Sequence, residues 1–118
     1  MSFESFHLHP QLNRNIEALG YQEPTPIQAQ AIPHALAGRD VMGLAQTGTG
    51  KTAAFALPIL HRLEGGPKGV VRALVISPTR ELAEQTHNVF GDLGRQTGWR
   101  SATVYGGVGM KPQVDSLR

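Results

Sequence analysis

The stretch that most limits how this chain can fold runs from Val41 to Thr52, Val-Met-Gly-Leu-Ala-Gln-Thr-Gly-Thr-Gly-Lys-Thr. An apolar run enters a glycine-rich turn, and the turn ends in Lys-Thr at the mouth of a helical segment. From Ala45 to Thr52 the pattern is small-x-x-x-x-Gly-Lys-Thr, a phosphate-binding loop with Ala in the first glycine position. Gly48 and Gly50 allow the backbone to turn with its N–H groups inward, where side chains would block a phosphate. The following helix adds unpaired N–H groups and a positive dipole end. Lys51 supplies a point charge for outer phosphates, and the Thr52 hydroxyl is a hard oxygen suited to Mg2+. The plain alternative is a strand-to-helix glycine turn with an incidental lysine.

Around this loop, strand-like and helix-like segments alternate. Apolar positions Leu12, Ile16 and Leu19 predict a helix over 10–19, stopped by Gly20. Thr25-Pro26-Ile27-Gln28 reads as a helix start, with Thr at the N-cap, Pro first and Gln third. Ile27, Ala31, Ile32, Ala35 and Leu36 would form its buried face, and Gly38 its end. A strand is expected over 39–44 and a helix over 51–63, kinked by Pro58. Val70 to Ser77 is nearly continuous and β-branched, as expected of a strand covered on both faces. A helix follows from near Thr79, with Leu82, Thr86, Val89, Phe90 and Leu93 inward. A third strand is expected over 101–105, then the Gly106-Gly107 break and the start of a helix over 110–118. Alternation of this kind predicts an α/β fold with a parallel sheet.

With 118 residues the chain makes one domain at most. The absence of cysteine excludes disulfide and thiolate-metal frameworks. Histidines at 7, 9, 34, 61 and 87 have no ligand-like spacing. No apolar stretch is long enough to span a membrane, and the N-terminus does not read as a signal peptide, so a cytoplasmic location is expected. Residues 1–50 carry two basic and four acidic side chains, and residues 51–118 nine and five. The second part is therefore the one expected to meet a polyanion.

Three further stretches, with the loop, resemble the N-terminal part of a DEAD-box RNA helicase of bacterial type, over essentially the whole chain. Gly20 to Gln28, Gly-Tyr-Gln-Glu-Pro-Thr-Pro-Ile-Gln, with Phe3 upstream, is similar to that family's Q motif and its isolated aromatic. The resemblance implies that the Gln28 amide pairs with the adenine edge, one donor and one acceptor side by side. It also implies that Phe3 and Tyr21 pack near the base. Thr25 and Gln28 equally satisfy a capping box unaided. Pro78-Thr79-Arg80-Glu81-Leu82-Ala83 matches the family's motif Ia, which implies RNA-backbone contact by Pro78, Thr79 and Arg80. An ordinary N-cap at Thr79 is compatible with that role. Gly106-Gly107 is similar to the family's glycine doublet, again at RNA.

The resemblance implies a partial RecA-like P-loop fold: three layers with a parallel sheet, residues 1–118 forming the N-terminal portion of the first RecA-like domain. ATP and Mg2+ are the implied cofactors. Phe3, Tyr21, Thr25, Gln28 and Gln46 to Thr52 (Gln46, Thr47, Gly48, Thr49, Gly50, Lys51, Thr52) would hold the nucleotide, with Lys51 and Thr52 acting in catalysis and Thr52 on the metal. RNA and a second RecA-like domain are the implied partners. The 118 residues do not contain the Asp-Glu-Ala-Asp stretch that names the family. Hydrolysis needs a metal, a positioned water and charge stabilisation, so the 118 residues alone are expected to be inactive. Two other readings stand beside this one. A small-molecule P-loop kinase would need a lid with arginines, which the sequence lacks. A stand-alone nucleotide or RNA module would end in a stop codon after Arg118. In the family's sheet, later strands separate 39–44 from 70–77. The open edges this leaves predict a homodimer that shares strands.

Overall fold

Helix α3, Lys51–Leu63, is the centre of the molecule. It starts at Gly50 with φ 78°, and its inward face is Ala53, Ala56, Leu57 and Leu60, all buried. The small alanines let neighbouring helices approach closely. Pro58 lies buried within it without ending it. The structure is a computed structural model and describes residues 2–46, 48–106, 112 and 113.

A 3-10 turn, Phe3–Phe6, precedes α1, Pro10–Ala18. Phe3, Phe6 and Leu8 enter the core beside Leu12 and Ile16 of α1. His9 caps α1, its Nδ1 accepting the Gln11 N–H at 3.3 Å. The same residue ties the N-terminal segment to the end of α3: its backbone N–H donates to His61 Nδ1 at 3.1 Å, and its Nε2 lies 3.3 Å from Glu64. Leu19, expected inward, is 39% exposed at the helix end. Asn15 is buried instead, and it donates to the Leu93 and Arg95 carbonyls at 2.7 and 2.8 Å. Those carbonyls lie at the C-terminal end of α4, Arg80–Leu93, where a helix leaves acceptors unpaired. A polar side chain of α1 therefore ends α4.

Helix α2, Pro26–Leu36, packs mainly on α3. Ile32 is buried and Leu36 packs on the core, as expected, while Ile27, Ala31 and Ala35 are only half-buried and Gln28 is buried in their place. In α4, Leu93 is fully buried and Val89 and Phe90 pack on the core, but Leu82 is 44% exposed.

The segments expected as strands, 39–44, 70–77 and 101–105, are extended or irregular, and no sheet pairing joins them among the described residues. Met42, Leu44, Leu74 and Ile76 are each more than 80% exposed. The four helices bury their apolar stripes on one another. A ladder between such segments depends on contacts far along a chain, and none is formed among the described residues. The helix expected over 110–118 lies outside the described residues apart from Pro112 and Gln113. Among the described residues, no helix is long and apolar enough to cross a membrane.

Candidate nucleotide and RNA sites

At the start of α3 the loop turns as its glycines require. Gly48 has φ 85° and Gly50 φ 78°, and the Thr49 hydroxyl closes the turn by donating to the Gln46 carbonyl at 2.6 Å. Lys51 is exposed, and Thr52 is half-buried in the first helical turn. Thr47 lies outside the described residues.

Gln28 reaches this loop from α2. Its Oε1 accepts the Thr25 N–H at 2.9 Å, the glutamine half of a capping box. Its Nε2 donates to the Gly50 carbonyl at 3.0 Å. A primary amide can accept twice and donate twice, so one lone pair and one N–H remain. The capping role and a base-reading role therefore do not compete for the same atoms. The Thr25 hydroxyl is buried at its box position, facing the Gln28 backbone N–H. A Cβ at Gly50 would collide with Gln28 Nε2, so only glycine allows this approach. The link between Gln28 and Gly50 was not readable in the sequence, because 22 residues separate them.

Of the two aromatics expected near a base, Phe3 is buried, with ring centroids 6.0 Å from both Phe6 and Tyr21. Tyr21 is 37% exposed and is the ring with surface to offer.

The arrangement fits a nucleotide polyphosphate. A helix N-terminus, two left-handed glycines and an exposed lysine converge, with the Gln28 amide alongside. Gly48 to Lys51 would hold phosphates, and Thr52 would give Mg2+ one hard oxygen, the rest coming from phosphate and water. ATP would bring the phosphoryl group to be transferred.

The second group lies at the start of α4. Thr79 is its N-cap, its hydroxyl accepting the Leu82 N–H at 3.2 Å. Arg80 Nη2 donates to the Gly106 carbonyl at 3.2 Å, so the turn at 78–80 and the glycine turn stand together. Pro78, Thr79, Arg80 and Gly106 are all exposed, and Gly107 lies outside the described residues. Sequence reasoning missed Glu84 and Tyr105 beside them. Helical spacing could have found Glu84, one turn after Arg80 on the same face.

A family model described as DEAD/DEAH box helicase matches residues 25–118. The ATP-dependent rRNA helicase RRP3 of Lodderomyces elongisporus is 51% identical over 116 residues, covering 98% of this chain and 23% of the relative. DEAD-box ATP-dependent RNA helicase 28 of Oryza sativa subsp. japonica is 51% identical over 119 residues, covering 99% of this chain and 15% of that protein. Among solved structures, the RNA helicase Prp28 of Chaetomium thermophilum bound to ADP superposes with TM-score 0.89 at 37% identity, over 98% of this chain and 29% of that one. A DEAD box protein from Methanococcus jannaschii gives TM-score 0.93 at 32% identity, covering 100% and 32%. The fold is therefore RecA-like in its neighbours, and the chain spans about a quarter or less of the two curated relatives' length. These relatives are fungal, plant and archaeal, and they do not bear on a bacterial type. With a family model matching most of its length, this chain belongs to the DEAD/DEAH box helicase family.

Proposed function

We propose that residues 1–118 are the N-terminal portion of the first RecA-like domain of an ATP-dependent RNA helicase, and that they bind its adenine nucleotide. The observation that carries this reading is the Gln28–Gly50 hydrogen bond. It places the amide that would read the base against the loop that would hold the phosphates. Lys51 and Thr52 serve the outer phosphates and Mg2+. Gln46 to Gly50 form the cradle, while Thr25, Phe3 and Tyr21 line its approach. Pro78, Thr79, Arg80, Gly106 and Gly107 meet the RNA backbone. The RRP3 relative is named an ATP-dependent rRNA helicase, and the Prp28 neighbour holds ADP, which supports this assignment. In this reading the parent acts in the cytoplasm and closes a second RecA-like domain over the RNA.

Titrating ADP into the purified chain tests the proposal. Weak saturable binding is expected, with Kd about 0.1–1 mM, and phosphate release from ATP at background level. No saturation at millimolar ADP would count against the nucleotide reading, and RNA-stimulated phosphate release would contradict the expected inactivity.

The exposed apolar segments 41–44 and 70–76 extend the proposal. In the parent, further strands of the parallel sheet cover them. In the 118-residue chain alone, a second copy pairs with them. Light scattering should show a dimer or larger species, whereas a monomer at micromolar concentration with cooperative unfolding would rule out strand sharing.

A further inference from the structure

Arg80 is not a free cation at the start of α4. One guanidinium nitrogen is spent on the Gly106 carbonyl at 3.2 Å, and the guanidinium carbon lies 5.0 Å from the centre of the Tyr105 ring. That ring is itself held. The Tyr105 hydroxyl donates to Glu84 Oε1 at 2.9 Å, and the Thr103 hydroxyl donates to the same oxygen at 3.2 Å. The Tyr105 backbone N–H donates to Gln113 Oε1 at 2.6 Å. Lower on α4, Ser101 Oγ and His87 Nδ1 share a hydrogen bond of 2.6 Å. Arg80, Glu84 and His87 recur at helical spacing, so one face of α4 engages the segment 101–106 through polar groups. No sheet pairing holds that segment among the described residues, so these bonds and the Tyr105 ring contact fix its position.

The chemistry of the chain of contacts is consistent in sign. A phenol that donates to a carboxylate becomes more electron-rich, which strengthens its attraction for a cation over its face. The hydrogen bond to Glu84, then desolvation, then the Glu84 charge hold the Tyr105 phenol above the ordinary phenol range, while Arg80 pulls the other way. A raised value favours the protonated, donating phenol. The network is therefore intact below the ordinary phenol range and is lost as pH rises through the raised value.

We propose that Tyr105 and Glu84 are positioning residues. Acting through Arg80, they fix the glycine turn at Gly106 against the turn at Pro78–Arg80, so that both meet one RNA backbone in register. This rests on the RNA reading of those two turns. It assigns Tyr105 and Glu84 no contact with RNA themselves.

The test uses single-stranded oligouridylate and fluorescence anisotropy across a salt series, with the full protein and its Tyr105→Phe, Glu84→Gln and Arg80→Ala variants. Tyr105→Phe and Glu84→Gln are expected to weaken RNA binding about 3- to 10-fold. Their salt slope and ADP affinity should stay unchanged, because no phosphate contact is removed. Tyr105→Phe should weaken binding little further in an Arg80→Ala background, since the two share one chain of contacts. For the optical titration alone, run on the 118-residue chain, a Tyr21→Phe background isolates Tyr105, and Glu84→Gln should lower its ionisation toward the ordinary range. Wild-type affinity for RNA in both Tyr105→Phe and Glu84→Gln would overturn the positioning role while leaving the RNA reading standing. A loss from Tyr105→Phe that adds in full to that of Arg80→Ala would separate Tyr105 from Arg80 and overturn it as well. Absence of RNA binding by the wild type would overturn the RNA reading and this proposal with it.

Discussion

Gly50→Val is expected to abolish ADP binding, a loss of at least about 100-fold, or about 3 kcal/mol. Two costs coincide at this position. The backbone has φ 78° and ψ 26°, a left-handed conformation that costs an L-residue about 1–2 kcal/mol and a β-branched one more. The new Cβ would also collide with Gln28 Nε2, expelling the amide from the Gly50 carbonyl. A buried amide left unpaired costs about 1–3 kcal/mol. Gly48→Ala separates the two costs in the melt: φ is 85°, but no protein atom lies within 4 Å of its Cβ, so its stability loss reports the backbone cost alone. Calorimetry with ADP and a thermal melt of each variant separate the two. If Gly50→Val bound ADP as the wild type does, the close approach of Gln28 would have no part in the site.

Lys51→Ala should weaken phosphate-bearing ligands of any base about 10- to 100-fold, or about 1.4–2.8 kcal/mol. The reason is location. Lys51 is exposed at the N-terminus of α3 with no carboxylate partner among the described residues, so its charge is available to an anion. For the same reason its removal should leave the melting temperature nearly unchanged. Calorimetry with ADP, GDP and inorganic triphosphate checks this. Equal losses on all three are expected, and a loss confined to ADP would place Lys51 at the base instead.

How much of this was legible beforehand follows from the range of the interactions. Helix α3 was readable to its ends because its signals are local: Gly50 before it, an Ala- and Leu-rich run within it and a glycine turn after it. The cap at Thr79 was local too. The inward face of α2 is legible in part: Ile32 and Leu36 lie in or against the core as expected, whereas Ile27 and Ala31 are half-buried. Only the contact across to Gly50 shows that Gln28 belongs inside. The role of Asn15 in ending α4 spans 78 residues and leaves no local mark. Val70 to Ser77 has the composition of a covered strand, yet Leu74 and Ile76 face solvent. Composition records what a segment can pair with, and pairing itself depends on strands elsewhere. The polar face joining α4 to 101–106 was half visible. The spacing of Arg80, Glu84 and His87 lies in the sequence, but their partners do not.

The central claim is that Gln28 reads adenine above a phosphate loop whose carbonyl it also holds. The ADP-to-GDP affinity ratio, measured by calorimetry for the wild type and for Gln28→Ala, tests it most directly. The account predicts a ratio of at least about 10 in the wild type. In Gln28→Ala the ratio falls to about 1, and both absolute affinities drop, because the hydrogen bond to Gly50 is lost along with the base contact. Equal affinity of the wild-type chain for ADP and GDP would contradict it.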